Sequence, residues 1–165
     1  MPLKGRANVD KAIAMIQAGA NDDVKGVYLA GMKNMIEGTP ARTGGTRNSW
    51  QLSVGSPRFV YNESTGSAEK ATPSKGSTSG ASKSIMSAVN DMPDNVLGKT
   101  LYFTNGSPAI HSLEYGGYPD PVALGTWIDG KYQKLSRGGY SKQTKPGGWV
   151  RKNLKLMRNK IRSLK

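Results

Sequence analysis

Between Asn8 and Glu37, apolar or small residues recur in steps of three or four: Val9, Ile13, Ile16, Ala20, Val24, Val27, Gly31 and Met35. That spacing lays one stripe along one side of an α-helix and does not fit the two-residue alternation of a strand. At about 1.5 Å per residue such a helix is long on the scale of a small domain, so the rest of the chain has to be arranged along it. Asn8 is placed to cap the start, and Asp10 would face the positive end of the helix dipole. Gly38-Thr39-Pro40 is the stop: glycine suits the residue just past a helix and proline cannot continue one. Gly19 and the cluster Asn21-Asp22-Asp23 mark where the helix would break or bend.

Downstream, Ala41 to Ser49 reads as a Gly/Thr/Arg-rich loop leading into a strand over 50–54. There Trp50, Leu52 and Val54 alternate with Gln51 and Ser53, the pattern of a half-buried strand. Phe59-Val60-Tyr61 is placed to extend this strand or pair with it. Residues 62–84 are rich in Ser, Thr, Gly, Ala and Lys and lack the apolar content needed to offset chain ordering, so a mobile loop or arm is expected. A short helix is expected over 83–91, with Ile85, Met86 and Val89 on one face. Thr100 to Asn105 is rich in β-formers and ends at Asn-Gly, which predicts a second strand. A second long irregular region is expected over 118–148. An amphipathic helix then starts near Trp149, with Val150, Leu154, Met157, Ile161 and Leu164 as its stripe.

The expected fold is a single α+β domain over 1–165, with a long N-terminal helix and a basic C-terminal helix packed on a small, mainly antiparallel β-sheet and joined by long loops. Its core is expected to form around Ile13, Ile16, Val24, Val27, Trp50, Leu52, Tyr102, Leu113, Leu154, Met157 and Ile161.

Charge is unevenly spread. The net charge is +13, and residues 126–165 carry 12 basic side chains against the single acid Asp129. The basic candidates for contact with DNA or a partner are Lys131, Lys134, Arg137, Lys142, Lys145, Arg151, Lys152, Lys155, Arg158, Lys160 and Arg162. Such a field favours nucleic acid, an acidic protein surface or an anionic membrane, and charge alone does not rank them. No apolar run is long enough for a membrane span, and Met1 to Arg6 lacks the apolar segment of a secretory signal. No lipidation signal accompanies the basic helix, so membrane attachment is not expected.

Catalytic chemistry has little to work with. There is no cysteine and only one histidine, His111, which leaves no thiol nucleophile and no two-histidine zinc site within one chain. His111, Ser112 and Glu114 have the residue types of a triad, but they lie within four positions of one another, whereas triads assemble from distant segments. The glycine pairs at 44–45, 138–139 and 147–148 match neither a phosphate loop nor a dinucleotide fingerprint. The expectation is a protein that is not an enzyme and needs no metal or cofactor.

Two segments carry a resemblance. One is Gly38-Thr39-Pro40-Ala41-Arg42-Thr43-Gly44-Gly45-Thr46-Arg47-Asn48-Ser49-Trp50, following the long helix. The other is Asn105-Gly106-Ser107-Pro108-Ala109-Ile110-His111-Ser112-Leu113-Glu114-Tyr115-Gly116. Together with the basic C-terminal helix, in this order, they resemble the small tail-completion and head–tail joining (neck) proteins of long-tailed bacteriophages. The chain departs from that pattern at Arg42, where the family often has an acid, at Ala109-Ile110, where Tyr-Ala is usual, and in the Ser/Thr-rich segment, which looks like an insertion.

The resemblance implies a structural virion protein that completes the head-proximal end of the tail or joins tail to head, as a subunit of a ring with sixfold symmetry. Implied partners are copies of itself, the tail tube or tail terminator below, and connector or portal-side proteins above. Non-specific contact with phage DNA would be an addition. The motif residues carried over as interface candidates are Pro40, Thr43, Gly44, Arg47, Trp50, Asn105, Pro108, Glu114, Tyr115 and Gly116. By their own chemistry, Trp50 is expected to anchor the strand in the core and Glu114 to accept hydrogen bonds that lock a loop. The alternative is a non-catalytic nucleic-acid-binding protein that uses the aromatic and cationic residues of 131–149.

Overall fold

The computed structural model describes residues 6–39, 44–62, 79–116, 126–128, 131–133 and 148–164. The expected α+β architecture is present: a long N-terminal helix and a C-terminal helix flank a small antiparallel sheet. Helix α1 spans Arg6–Gly38 and α2 is a single turn, Gly45–Asn48. Strand β1 is Trp50–Val54, α3 is Ser79–Asn90, β2 is Leu101–Asn105 and α4 is Ile110–Tyr115. Short strands β3, Thr126–Ile128, and β4, Lys131–Gln133, precede α5, Trp149–Ser163.

The β1–β2 pair is antiparallel, with Trp50 opposite Asn105, Leu52 opposite Phe103 and Val54 opposite Leu101. β3 and β4 form a separate two-stranded sheet, so a hairpin interrupts the region expected to be irregular over 118–148. Helix α3 likewise begins at Ser79, inside the segment expected to be an arm. Residues 63–78, the rest of that segment, lie outside the described residues.

Helix α1 does not break at Gly19 or Asn21; it is one continuous helix that starts before Asn8. The polar cluster serves another purpose. The side chain of Asn21 donates to the Asp94 carbonyl and accepts from the Val96 N–H, both at 2.8 Å. It thereby pins the turn after α3 against the middle of α1.

The core lies along the second half of α1 only. Met35 and Ile36 pack with Trp50, Leu113 and Trp149, and Met32 packs with Leu52, Ala88, Met92 and Val96. Stacked Trp50 and Phe103, with ring centroids 4.6 Å apart, join β1 to β2 across the first group. Val27, Trp50, Leu52 and Leu113 are buried as expected, and Val24, Tyr102, Met157 and Ile161 are half-buried. Ile13, Ile16 and Leu154 are not core residues: they are 47%, 72% and 52% exposed. For the first two the reason is that no described element reaches the first half of α1.

The buried face of α3 is Ala81, Ser84, Ala88 and the following Met92, while Met86 and Val89 are exposed. Small residues face inward because α3 packs close to α1, α2 and β1 at once, and the Ser84 hydroxyl donates to the Arg47 carbonyl at 2.9 Å. β1 also departs from simple alternation. Gln51 is buried because residues 57–61 fold over the outer face instead of forming a strand, and Val54, at the end of β1, is exposed. Arg58 Nε donates to Gln51 Oε1 at 2.8 Å, and the Thr104 hydroxyl donates to the Arg58 carbonyl. Gly106 allows this crossing, since a Cβ there would lie 2.6 Å from the Val60 backbone.

Candidate functional site

The two motif segments meet at the C-terminal end of α1. A helix end leaves carbonyls without partners and carries partial negative charge, and here a buried arginine supplies the donors. Arg47 donates to the Thr39 carbonyl from Nε at 3.1 Å and from Nη2 at 2.7 Å, and to the Glu37 carbonyl at 3.3 Å. Thr39 donates its hydroxyl to the Met35 carbonyl at 2.6 Å and accepts the Trp50 indole N–H at 2.7 Å. The Trp149 indole adds a second bond to the Met35 carbonyl at 2.9 Å. Trp50 and Trp149 therefore place their indole N–H groups at the C-terminal end of α1, one on Thr39 just past it and one on its last turn.

The second segment is fastened to the first. Asn105 donates to the Thr46 carbonyl at 2.8 Å and accepts from the Ser107 N–H at 2.9 Å. The Thr46 and Ser107 hydroxyls are 2.8 Å apart. Gly44 and Gly116 have φ of 90° and 83° and turn the chain at the two ends of this joint. Pro108 is exposed. Pro40 and Thr43 lie outside the described residues.

Glu114 closes the assembly from the other side. Its carboxylate is buried and accepts from the backbone N–H groups of Val150 and Arg151 at 3.0 and 3.1 Å, capping the first turn of α5. Its backbone partners are thus at a helix start, not in the loop before Gly116 that it was expected to lock. The Arg151 guanidinium pairs with the same carboxylate at 3.1 Å and lies 4.7 Å above the Tyr115 ring, which in turn packs on His111. Tyr115 is left open, at 52% exposure.

The expected cationic residues divide into groups. Lys134, Arg137, Lys142 and Lys145 lie outside the described residues, and Lys131 begins β4. The remaining six are on α5, which carries no acid. Arg151, Lys155, Arg158 and Arg162 recur at helical spacing on the side away from α1, with Lys152 beside them. Like charges four apart destabilise a helix by about 0.2–0.5 kcal/mol per pair, a cost that an anionic surface laid along the stripe would remove. Lys160 stands apart, on the edge facing α1.

That edge bounds a groove of about 430 Å³ between α1 and α5, which the residue patterns had not suggested. Gly26, Ala30 and Asn34 form one wall and Asn153, Leu156 and Lys160 the other, with Asp23 and Leu164 at one end. The small residues at 26 and 30 hollow one wall, a signal readable in sequence only once α5 is known to lie alongside. Among the described residues no group of acids and histidine is arranged to hold a metal ion, and no helix is long and apolar enough to cross a membrane. Comparison with protein-family models, curated proteins and solved structures found no match.

Proposed function

We propose that this protein is a non-enzymatic structural component of a tailed-bacteriophage particle. It completes the head-proximal end of the tail or joins tail to head in the neck, as a ring subunit. The observation that carries this reading is that the two segments resembling neck proteins, 59 residues apart at Asn105 and Thr46, are bonded into one joint. A motif made of buried caps and turns suits a part that must hold its shape under load. The long α1 and the acid-free α5 leave surfaces for neighbours. The cationic stripe would face the genome in the channel or an acidic neighbour, by contacts to backbone charge and not to bases.

Immunogold labelling of intact particles and of separated heads and tails tests the proposal. Label at the head–tail junction or the upper end of free tails is expected; unlabelled particles with the protein left in the lysate would overturn it. The basic stripe of α5 favours one second reading, a nucleic-acid-binding protein acting off the particle. That reading predicts binding of the isolated protein to DNA that weakens steeply with salt, together with unlabelled particles.

A further inference from the structure

Positive charge is concentrated on one helix. α1 balances four bases with four acids over 33 residues, whereas α5 carries six bases and no acid over 15. Charge kept for solubility alone would be mixed in sign on both helices. The helix dipole accounts for cations in the last turn, here Lys160 and Arg162, but not for Lys155 and Arg158 nearer the middle.

Lys155, Arg158 and Arg162 are exposed and take part in no ion pair among the described residues. They line the side of α5 away from α1, spaced about 5 Å apart along the axis by the helical rise. Arg151 heads the same line but is held by Glu114 and lies over Tyr115.

Three kinds of anionic partner would meet this line differently. A membrane surface takes up an amphipathic helix through its apolar side. That side of α5 is spent within the chain: Trp149 is buried with Met35 and Ile36, and Met157 packs on Gly31. A protein partner is held mainly by aromatic and apolar anchors, and its interfaces are poor in lysine. Apart from Leu154 at its flank, the line offers no such anchor, and Tyr115 at its head already carries the Arg151 guanidinium. Duplex DNA needs neither. It presents one phosphate per about 1.7 Å of its axis, and phosphate oxygens accept directly from guanidinium and ammonium groups. A single strand would gain from bases stacked on exposed rings, and the line itself carries no ring.

We infer that the Lys155–Arg158–Arg162 face of α5 binds the phosphate backbone of duplex DNA without reading its bases. The inference deepens the proposed function by choosing the genome over an acidic neighbour, and rests on that reading only for where the DNA is met.

Fluorescence anisotropy of the full chain with a labelled mixed-sequence duplex tests it. Lys155→Gln with Arg158→Gln and Arg162→Gln removes the line at exposed helix positions. Lys11→Gln with Lys83→Gln and Lys99→Gln removes three exposed charges elsewhere and reaches the same net charge. Circular dichroism should find all three proteins equally helical. The parent should bind the duplex more tightly than a single strand of the same sequence, and alike across sequences. The control should stay close to the parent. The line variant should bind roughly tenfold or more weakly at low salt, with its salt slope shallower by about 0.9 per lost cation.

Equal losses in the two variants would mean that net charge, not the line, attracts DNA, and would overturn the inference. Tighter binding to the single strand, to polyglutamate or to phosphatidylserine vesicles than to the duplex would overturn it too. Gold label at the neck without line-dependent DNA binding would sink this inference and spare the proposed function; line-dependent binding by a protein absent from particles would do the reverse.

Discussion

Glu114 and Arg151, 37 residues apart in sequence, share one carboxylate oxygen: Glu114 Oε1 accepts both the backbone N–H and the Nε–H of Arg151 at 3.1 Å. The other oxygen takes the Val150 N–H. One buried acid thus caps α5, neutralises its first cation and ties α4 to it. Glu114→Ala is expected to cost about 2–3 kcal/mol, since it removes several bonds to a charged acceptor and leaves amides unsatisfied. Glu114→Gln, which keeps one acceptor oxygen but turns an NH2 donor towards the amides bonded to the other and loses the charge, should cost less than Glu114→Ala but still destabilise. Urea unfolding followed by circular dichroism reads both; equal stability of Glu114→Ala and the parent would refute the capping role.

Gly148 makes that cap possible. Its φ of 73° and ψ of 159° belong to a region almost closed to other residues, and an added Cβ would lie 2.2 Å from the Glu114 carboxylate. Gly148→Ala therefore combines backbone strain of about 1–3 kcal/mol with expulsion of the carboxylate from its seat. The two effects separate in a double-mutant cycle. In a Glu114→Ala background the cost of Gly148→Ala should fall by about 1 kcal/mol or more, because only the strain remains. Strict additivity would mean that Gly148 and Glu114 are independent.

Arg47 gives a sharper contrast between charge and shape. Its planar fork bonds the Thr39 carbonyl twice and reaches Glu37, a pattern that a lysine ammonium cannot reproduce. Arg47→Ala should lower stability by about 2–3 kcal/mol, and Arg47→Lys should recover less than half of that despite retaining the charge. Full rescue by lysine would show that the interaction with the helix dipole, not the geometry, holds the end of α1.

Much of the scaffold was legible from local pattern. The helical period of α1, its stop at Gly38, the β-formers of β2 and the stripe of α5 each depend on neighbouring residues, and each element is present. What was not legible depends on contacts far along the chain. Asn21 looked like a helix breaker because its partners, Asp94 and Val96, lie more than 70 residues away. Ala81 and Ser84 looked like low-complexity sequence, and Ala88 was left off the apolar face of the helix expected over 83–91, because small side chains become core only where elements pack closely.

The joint was half legible. The expectation that Trp50 anchors β1 and that Glu114 accepts hydrogen bonds held. The indole bond of Trp149 and the Arg47 cap of α1 could not be read from spacing, because each crosses between elements.

The stripe itself was the most misleading signal, since its period placed Ile16 in the core and passed over Ile36. Ile36 is fully buried and Ile16 is 72% exposed. Ile36→Ala opens a cavity among Met35, Trp50 and Trp149, and should cost about 3–4 kcal/mol, within the usual range for such truncations. Ile16→Ala removes little buried surface and replaces a β-branched residue with the best helix former, so the dilute monomer should be unchanged or gain a few tenths of a kcal/mol. Thermal unfolding of both variants measures this. A large loss for Ile16→Ala in the dilute monomer would mean that the first half of α1 is covered within its own chain.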